Sequence, residues 1–547
     1  MSSTACQKAA DTPVTHEVII VGAGITGLYA LHEFRNAGHD VMVVEAGSEV
    51  GGTWYWNRYP GLRVDIESVD YSYGFSEPLQ QEWRWPYRYS YRSDLLEYLK
   101  HVADKFDLRR SIRFDTRIVA TVFDDDKNSW TLTSESGETF TARFVVMATG
   151  ILSAPNTPGF PGLERYRGKQ YHTARWPETE VDFSGERVAV IGTGSTGVQV
   201  IPEIAKQAAH LTVYQRTARF VIPSRNCPMP SSYEQRVKSD YRGWRQRQKE
   251  SPTGFIAVNF EAAEWVTELA LETPPEERAA LYENRWRSGG LALYNVYPDI
   301  YTNVEANGTL AEFLRDKIRE RIKDPKLHDK LVPHGFPVLT NRLCTDDGYY
   351  EVFEKDCVDL VDLGDSRIEM TEKGIYANGE ERQFDSIVFA TGYEAYIGAM
   401  KRMGIVGRDG RQLTDHWAEA VPTSLGLMVH GFPNMFMLNG PGAPTVLRLP
   451  FLMAEDQTRW VEQWIRTMHE RGRSRLEPTA EFEETWLRLC EDTLMQTLFP
   501  MTKSWQLGAN ISGEIRHGLA YYGTVADYQA RCENVLASDF EGFVVTD

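Results

Sequence analysis

The stretch HEVIIVGAGITGLYALHEFRNAGHDVMVVEAG, His16 to Gly47, decides the fold. Val18 to Val21 form a short β-branched apolar run, the pattern of a strand buried on both faces. Gly22, Gly24 and Gly27 follow at once with Ile25 between them, and Leu28, Leu31 and Phe34 then recur at helical spacing. Val41 to Val44 read as a second buried strand, ending at Glu45. Strand, glycine turn, helix and strand make a βαβ unit. In such a unit the first glycine permits the tight turn, the second lets a pyrophosphate reach the helix N-terminus, and the third allows close helix packing. Glu45 lies 18 residues past Gly27, where a carboxylate accepts hydrogen bonds from adenosine ribose hydroxyls. A lone glycine fingerprint would read as an ordinary turn. With strand, helix and acid all in place it reads as a dinucleotide site.

The pattern returns in ERVAVIGTGSTGVQVIPEIAKQAAHLTVYQR, Glu186 to Arg216, with Gly192, Gly194 and Gly197 in the turn. Where Glu45 has its counterpart the chain reads Gln215-Arg216-Thr217, with no acid. An arginine there suits a 2′-phosphate that a carboxylate would repel, the lesser alternative being a solvated surface residue. The first unit therefore favours a dinucleotide with free ribose hydroxyls and the second favours NADP. Two dinucleotides in one chain imply a redox relay from nicotinamide to a second held cofactor, for which FAD is the natural candidate.

The rest of the chain sets limits. Its 547 residues point to two to four domains at about 150 residues each. Lysine and arginine number 59 against 77 acids, a formal charge of −18, which argues against general binding to nucleic acid or anionic membranes. The six cysteines include no CxxC pair, which disfavours a dithiol redox centre or zinc ribbon, and the twelve histidines show no metal-ligand spacing. The metal expectation is none. No signal-peptide core or membrane-length apolar run is present, so a cytoplasmic protein is the expectation. The charged stretch from about Tyr233 to Lys330, with Trp, Leu and Tyr interspersed, reads as an α-helical insertion. The acid runs Asp124-Asp125-Asp126 and Asp346-Asp347 read as solvated turns.

Between the glycine units lies Tyr166-Arg-Gly168-Lys-Gln-Tyr-His172-Thr-Ala-Arg-Trp176-Pro177. It resembles the fingerprint of type I Baeyer–Villiger monooxygenases, FxGxxxHxxxW followed by Pro or Asp, with Tyr166 in place of the leading Phe. Taken alone, His172 and Trp176 would read as a packed His–aromatic pair. GGTWYWNRYPGLRVDIES (Gly51 to Ser68), FVVMATG, IVFATG, GFPNMFMLNGPGAP and SWQLGANISG also look like family blocks, closest to the phenylacetone and steroid monooxygenase branch.

The resemblance implies an α/β fold of two Rossmann-like domains, binding FAD and NADP, with a helical insertion. The expected boundaries are a disordered N-terminus at 1–15, an FAD-binding domain from 16–152 and 391–547, an NADP-binding domain from 153–225 and 332–390, and the insertion at 226–331. It places Glu45 at the FAD ribose, Gly52, Thr53, Trp54, Asp65 and Tyr71 along the flavin, and Ile118 at its adenosine end. Ser195, Thr196 and Gln199 fall in the NADP turn, with Arg216 and Thr217 at its 2′-phosphate. Trp505 matches a tryptophan that orders around NADP.

The catalytic pair implied is Arg342, in NRLCTDDGYY, oriented by Asp65. Otherwise Arg342 reads as half of a surface ion pair and Asp65 as a turn-capping acid. Where the family usually has Lys-Arg this chain has Asn341-Arg342, from which a weaker preference for NADPH over NADH is expected. Leu447, Pro450 and Phe451 are expected to line the substrate pocket. The implied reaction converts a ketone to an ester or lactone with O2 through a C4a-peroxyflavin, with sulfoxidation as a side activity and a monomer as the working unit. Two other readings stand beside it: a flavin monooxygenase acting on nitrogen or sulfur, and a flavin-binding redox-sensing interaction protein without an organic substrate.

Overall fold

In the computed structural model, which describes residues 14–157, 159–445, 447–509 and 518–547, the opening βαβ unit lies at the centre of a mixed sheet. Its strands are β1 (Val14–Val21), β2 (Val41–Val44), β3 (Ile112–Arg113), β4 (Ile118–Asp124), β5 (Ser129–Ser134) and β6 (Thr139–Met147). Strand β1 pairs in parallel with β2 and β6, while β4, β5 and β6 form an antiparallel meander. Because side chains alternate along a strand, Val18 and Ile20 face one apolar cluster and Ile19 and Val21 another. Both faces of β1 are therefore covered. Residues 14 and 15, expected to be disordered, belong to β1; residues 1–13 lie outside the described residues.

Helix α1 (Ile25–Asn36) turns Leu28, Leu31 and Phe34 fully inward. Each such burial contributes about 1.5–3 kcal/mol.

From β6 the chain enters a second, wholly parallel sheet. Its strands are β7 (Lys169–His172), β8 (Arg187–Ile191) and β9 (His210–Gln215), and α2 (Ser195–Ile204) follows the second glycine turn. A separate pair, β10 (Val221–Pro223) with β11 (Cys344–Asp346), brackets the helical region. That region holds α3 (Ser231–Ser239), α4 (Tyr241–Glu250), α5 (Pro275–Ser288) and α6 (Val304–Arg321). Then β12 (Val358–Asp362) and β13 (Ser386–Phe389) complete the second sheet in the order β12-β9-β8-β13-β7. The chain returns to the first sheet with β14 (Ile405–Val406) beside β4 and β15 (Met435–Met437) beside β6, before α7 (Pro450–Glu470) packs on α1. The first sheet thus draws strands from both ends of the chain and the second from its middle.

Among the described residues no helix is long and apolar enough to cross a membrane.

One sequence reading fails here. Asp346 is 1% exposed and receives both ends of the Arg321 guanidinium at 2.9 and 2.8 Å, and the N–H groups of Gly348 and Tyr349. Asp347 pairs with Arg63 at 3.1 Å. Arg321 and Arg63 are remote in sequence, so the local charge run did not reveal these pairings.

Candidate active site

At the first turn, Gly22 adopts φ +107°, and a Cβ there would stand 2.6 Å from the Ala148 carbonyl oxygen. Gly52, at φ +51°, passes so near Gly24 that its Cβ would lie 2.8 Å from the Gly24 Cα. A Cβ on Gly27 would meet the Gly22 oxygen at 1.8 Å. Helix α1 starts at Gly24 with no side-chain cap and no acid in its first turn. Its first N–H groups are left for an incoming anion.

Glu45 binds this turn to the end of β2, accepting from the N–H groups of Ala23 and Gly47, both at 2.7 Å. Burial raises the Glu45 carboxyl above its ordinary value, and those two bonds only partly offset it. Each carboxylate oxygen keeps an acceptor position for a ribose hydroxyl. Gly52 opens a single helical turn, Thr53–Trp56. The Trp54 ring is buried edge-on to Tyr71 at 5.8 Å, and its indole N–H has no partner. Ile118 is buried in the second apolar cluster, two residues beyond Thr116, whose N–H donates to the Glu45 carbonyl. These residues fit a dinucleotide laid across α1.

The second turn repeats the construction: Gly192 has φ +111°, and its Cβ would stand 2.4 Å from the Ala390 oxygen. A Cβ on Gly194 would meet nothing within 4 Å, which leaves the approach to α2 open. The helix has no side-chain cap and no acid in its first turn. Arg216 is exposed at the end of β9 beside Thr217. Neither Arg216 nor nearby Arg219 makes an ion pair among the described residues, and burial together with the like charge of Arg216 holds Arg219 below its ordinary value. Two uncompensated cations suit a phosphate monoester.

Gln199 does something else. Its carbonyl accepts from Tyr59 Oη at 3.0 Å and its amide donates to the Arg63 carbonyl at 3.1 Å. Both ends of the side chain tie α2 to the first unit. Ser195 lies 3.6 Å from Cys344 Sγ, and Thr196 sits half-buried beside it.

The tie brings the two turns towards Arg342, which precedes β11. Arg342 Nε and Nη2 donate to Asp65 Oδ2 and Oδ1 at 2.6 and 2.7 Å. Asp65 comes from the first unit, two residues past Arg63. Burial alone would lower the guanidinium, but Asp65 outweighs it and holds the group above its ordinary value. Arg342 is therefore a permanent cation in fixed orientation. Nη1 has no acceptor among the described residues. The adjacent Asn341 is buried with both amide atoms unbonded.

The remaining candidates divide. Phe451 is buried edge-on to Tyr71 at 5.0 Å and to Tyr73 at 4.6 Å, so it supports the Tyr71 wall. Leu447 packs on a small cluster of Leu494, Phe499 and Leu507, and Pro450 opens α7. This segment is tied to the helical insertion through Leu449 N–H and the Thr253 carbonyl at 2.7 Å. The Trp505 ring lies 6.3 Å from that of Tyr396; residues 510–513 of that block lie outside the described residues.

The fingerprint sits at the passage between sheets. Tyr166 Oη donates to the Phe384 carbonyl at 3.0 Å and closes over Gly168, where a Cβ would collide with it at 2.2 Å. His172 Nδ1 accepts from Ala174 N–H at 3.1 Å, so Nε2 carries the hydrogen, 3.2 Å from the Asn156 carbonyl. Trp176 packs on Tyr171 and Phe183, and Pro177 follows it.

Sequence reasoning missed Tyr294, whose hydroxyl receives Leu343 N–H at 3.3 Å. It also missed Asp70, fully buried and accepting from Trp244 Nε1, Gln248 Nε2 and the N–H groups of Ile256 and Ala257 at 2.7–3.1 Å. The three acids in GLRVDIESVDYSY were the available signal for Asp70. Tyr294 had none.

A family model described as pyridine nucleotide-disulphide oxidoreductase matches residues 19–241, the span of both glycine turns. The described cysteines are all free. An acetone monooxygenase (methyl acetate-forming) of Gordonia sp. is 38% identical, over 97% of this chain and 99% of its own. A Baeyer–Villiger monooxygenase of Pseudooceanicola batsensis is 39% identical over 94% and 93%. A phenazine N-monooxygenase of Lysobacter antibioticus is 38% identical over 98% of each. Among solved structures, oxidised steroid monooxygenase bound to NADP superposes with a TM-score of 0.91 at 43% identity, over 97% of this chain and all of the other. A complex of OTEMO with FAD and NADP gives 0.92 at 34%, over 98% and all.

Proposed function

This chain belongs to the Baeyer–Villiger monooxygenases, and we propose that it is an FAD- and NADPH-dependent enzyme that inserts one atom of O2 beside a ketone carbonyl, giving an ester or lactone. The observation that carries the reading is the Arg342–Asp65 pair, one partner from each nucleotide unit, standing where Gln199 ties the two units together.

Bound FAD supplies the two-electron link between NADPH and O2. The chain's own residues do the rest. The N-terminus of α1, Glu45 and the Gly52 approach hold the first cofactor, and Trp54 and Tyr71 wall its ring system. The N-terminus of α2 and Arg216 hold the second. Asp65 occupies Nε and Nη2 of Arg342, leaving Nη1 free to donate to an oxygen that gains negative charge as the ketone is attacked. A fixed, partly buried cation of this kind stabilises such charge by up to several kcal/mol. Arg342 serves as a charge and hydrogen-bond donor and never as a proton source, since Asp65 holds it protonated.

A second reading, N- or S-oxygenation, draws support from the phenazine N-monooxygenase relative. Arg342 favours the first, because a soft nucleophile meets a protonated oxidant that needs no anion-holding cation. Supplied with NADPH, 18O2 and a mixture of a ketone and a tertiary amine, the enzyme is expected to form ester carrying one 18O per NADPH consumed. Amine oxide without ester would establish the second reading. The acetone monooxygenase relative supports a small ketone as substrate; that the enzyme works as a cytoplasmic monomer is part of the same proposal.

A further inference from the structure

Away from the glycine turns, the fold gathers four side chains that are remote in sequence. Glu17 lies on β1, His39 in the turn before β2, and Glu462 and His469 two turns apart on α7. Glu17 Oε1 stands 3.2 Å from His39 Nδ1 and 3.4 Å from His469 Nε2. The three ligand atoms lie within 4.8 Å of one another. Bonds of about 2.0–2.2 Å to one Zn²⁺ would draw these atoms closer together. On the other side of the His39 ring, Nε2 faces Glu462 Oε1 at 3.5 Å, and these side chains are only 8% and 7% exposed. Both atoms are buried and neither makes a hydrogen bond, although Arg466 Nε is 3.3 Å from the same oxygen.

We propose that Glu17, His39 and His469 form a site for a borderline divalent cation of the Zn²⁺ class, with Glu462 behind it. Two imidazole nitrogens and one carboxylate oxygen are a donor set for Zn²⁺ rather than for Mg²⁺ or Ca²⁺. An ion on Nδ1 fixes the His39 tautomer with its hydrogen on Nε2, the atom that faces Glu462. Such a carboxylate behind a ligating imidazole is the usual support for a metal-bound histidine. The ion would make a hydrogen bond of the 3.5 Å approach between His39 Nε2 and Glu462 Oε1. His469 is 39% exposed, so water has access to complete the coordination. The ion would join the last turn of α7 to the start of β1 and to the turn before β2, a brace for the first sheet with no part in oxygenation. The histidines are invisible as a motif because the fold alone brings them together.

The test is titration of tag-free, chelator-treated, FAD-loaded enzyme with ZnCl2 by calorimetry, with thermal unfolding followed in parallel. The expected result is one ion per chain, a Kd of about 10 μM or tighter, and a higher Tm in the presence of zinc. His469→Ala and Glu17→Gln should each weaken binding at least tenfold and abolish the Tm increase. If Glu17→Gln does not fold, the half-exposed His469→Ala decides alone. No stoichiometric binding, or binding unchanged in His469→Ala, overturns the proposal and leaves these residues as a protonated His39 held between two carboxylates.

Discussion

In the proposed function Arg216 stands at the phosphate that distinguishes the two nicotinamide cofactors, and Asn341 replaces the lysine that would help to hold it. Arg216→Ala is expected to lower kcat/KM for NADPH about tenfold while leaving NADH unchanged, and Asn341→Lys to widen the ratio. With Asn341 in place, the native ratio should stay below about a thousandfold, roughly 4 kcal/mol. Steady-state kinetics with both cofactors checks this; equal losses for NADPH and NADH would remove Arg216 from the phosphate site.

His172 gives a pH dependence of definite sign. Burial holds its pKa below the ordinary 6.5, with the Arg175 charge adding and the Asn156 carbonyl partly opposing. The unfolded chain therefore takes up the proton first. The stabilisation is whole above about pH 6.5 and is lost as pH falls towards the lower folded value. Between pH 7.5 and 5.5 the wild type should lose more Tm than His172→Asn, and equal losses would contradict the assignment. At this scale the glycines, Glu45 and Arg342 could be singled out because each stands among recognisable neighbours in the sequence. The sequence misled at Asp346, whose partner Arg321 lies far along the chain, and gave no sign of the ties from Gln199 to Tyr59 and Arg63.

At the scale of elements, the residues 65–71 form a spine with two sides. Asp65 faces Arg342 and Tyr71 faces Trp54, while Glu67 and Asp70 face the insertion. Glu67 pairs with Arg88 and receives Tyr233 Oη at 3.1 Å, and Asp70 holds α4 and the segment after it. Removing a buried carboxylate with four donors strands all of them, a cost of about 3 kcal/mol or more. Asp70→Ala is expected to raise hydrogen exchange in residues 241–262 while leaving β8 and β9 protected. Uniform exchange across both regions would show that Asp70 serves the whole molecule and not the insertion. The helices of this region were legible from their charge and apolar spacing. Their attachment was not, because it runs through single buried polar atoms that have no period.

At the scale of the molecule, the first sheet is interrupted by the second, and the chain crosses between them near Met147 and Phe389. The crossings meet at His172, Asn156 and Thr391, where Thr391 Oγ1 donates to the Asn156 carbonyl at 2.7 Å. The doubled glycine unit made this plan legible; the closeness of the units depended on Gln199, Tyr59 and the Arg342–Asp65 pair. Arg342→Ala tests the account at its centre. In stopped-flow mixing of the FAD-loaded variant with NADPH, flavin bleaching should proceed within about threefold of the wild-type rate. Ester formation from a ketone should fall by more than about a hundredfold, with the electrons recovered as hydrogen peroxide. Ester formed by the variant at the native rate would contradict the claim that this guanidinium makes the site an oxygenating one.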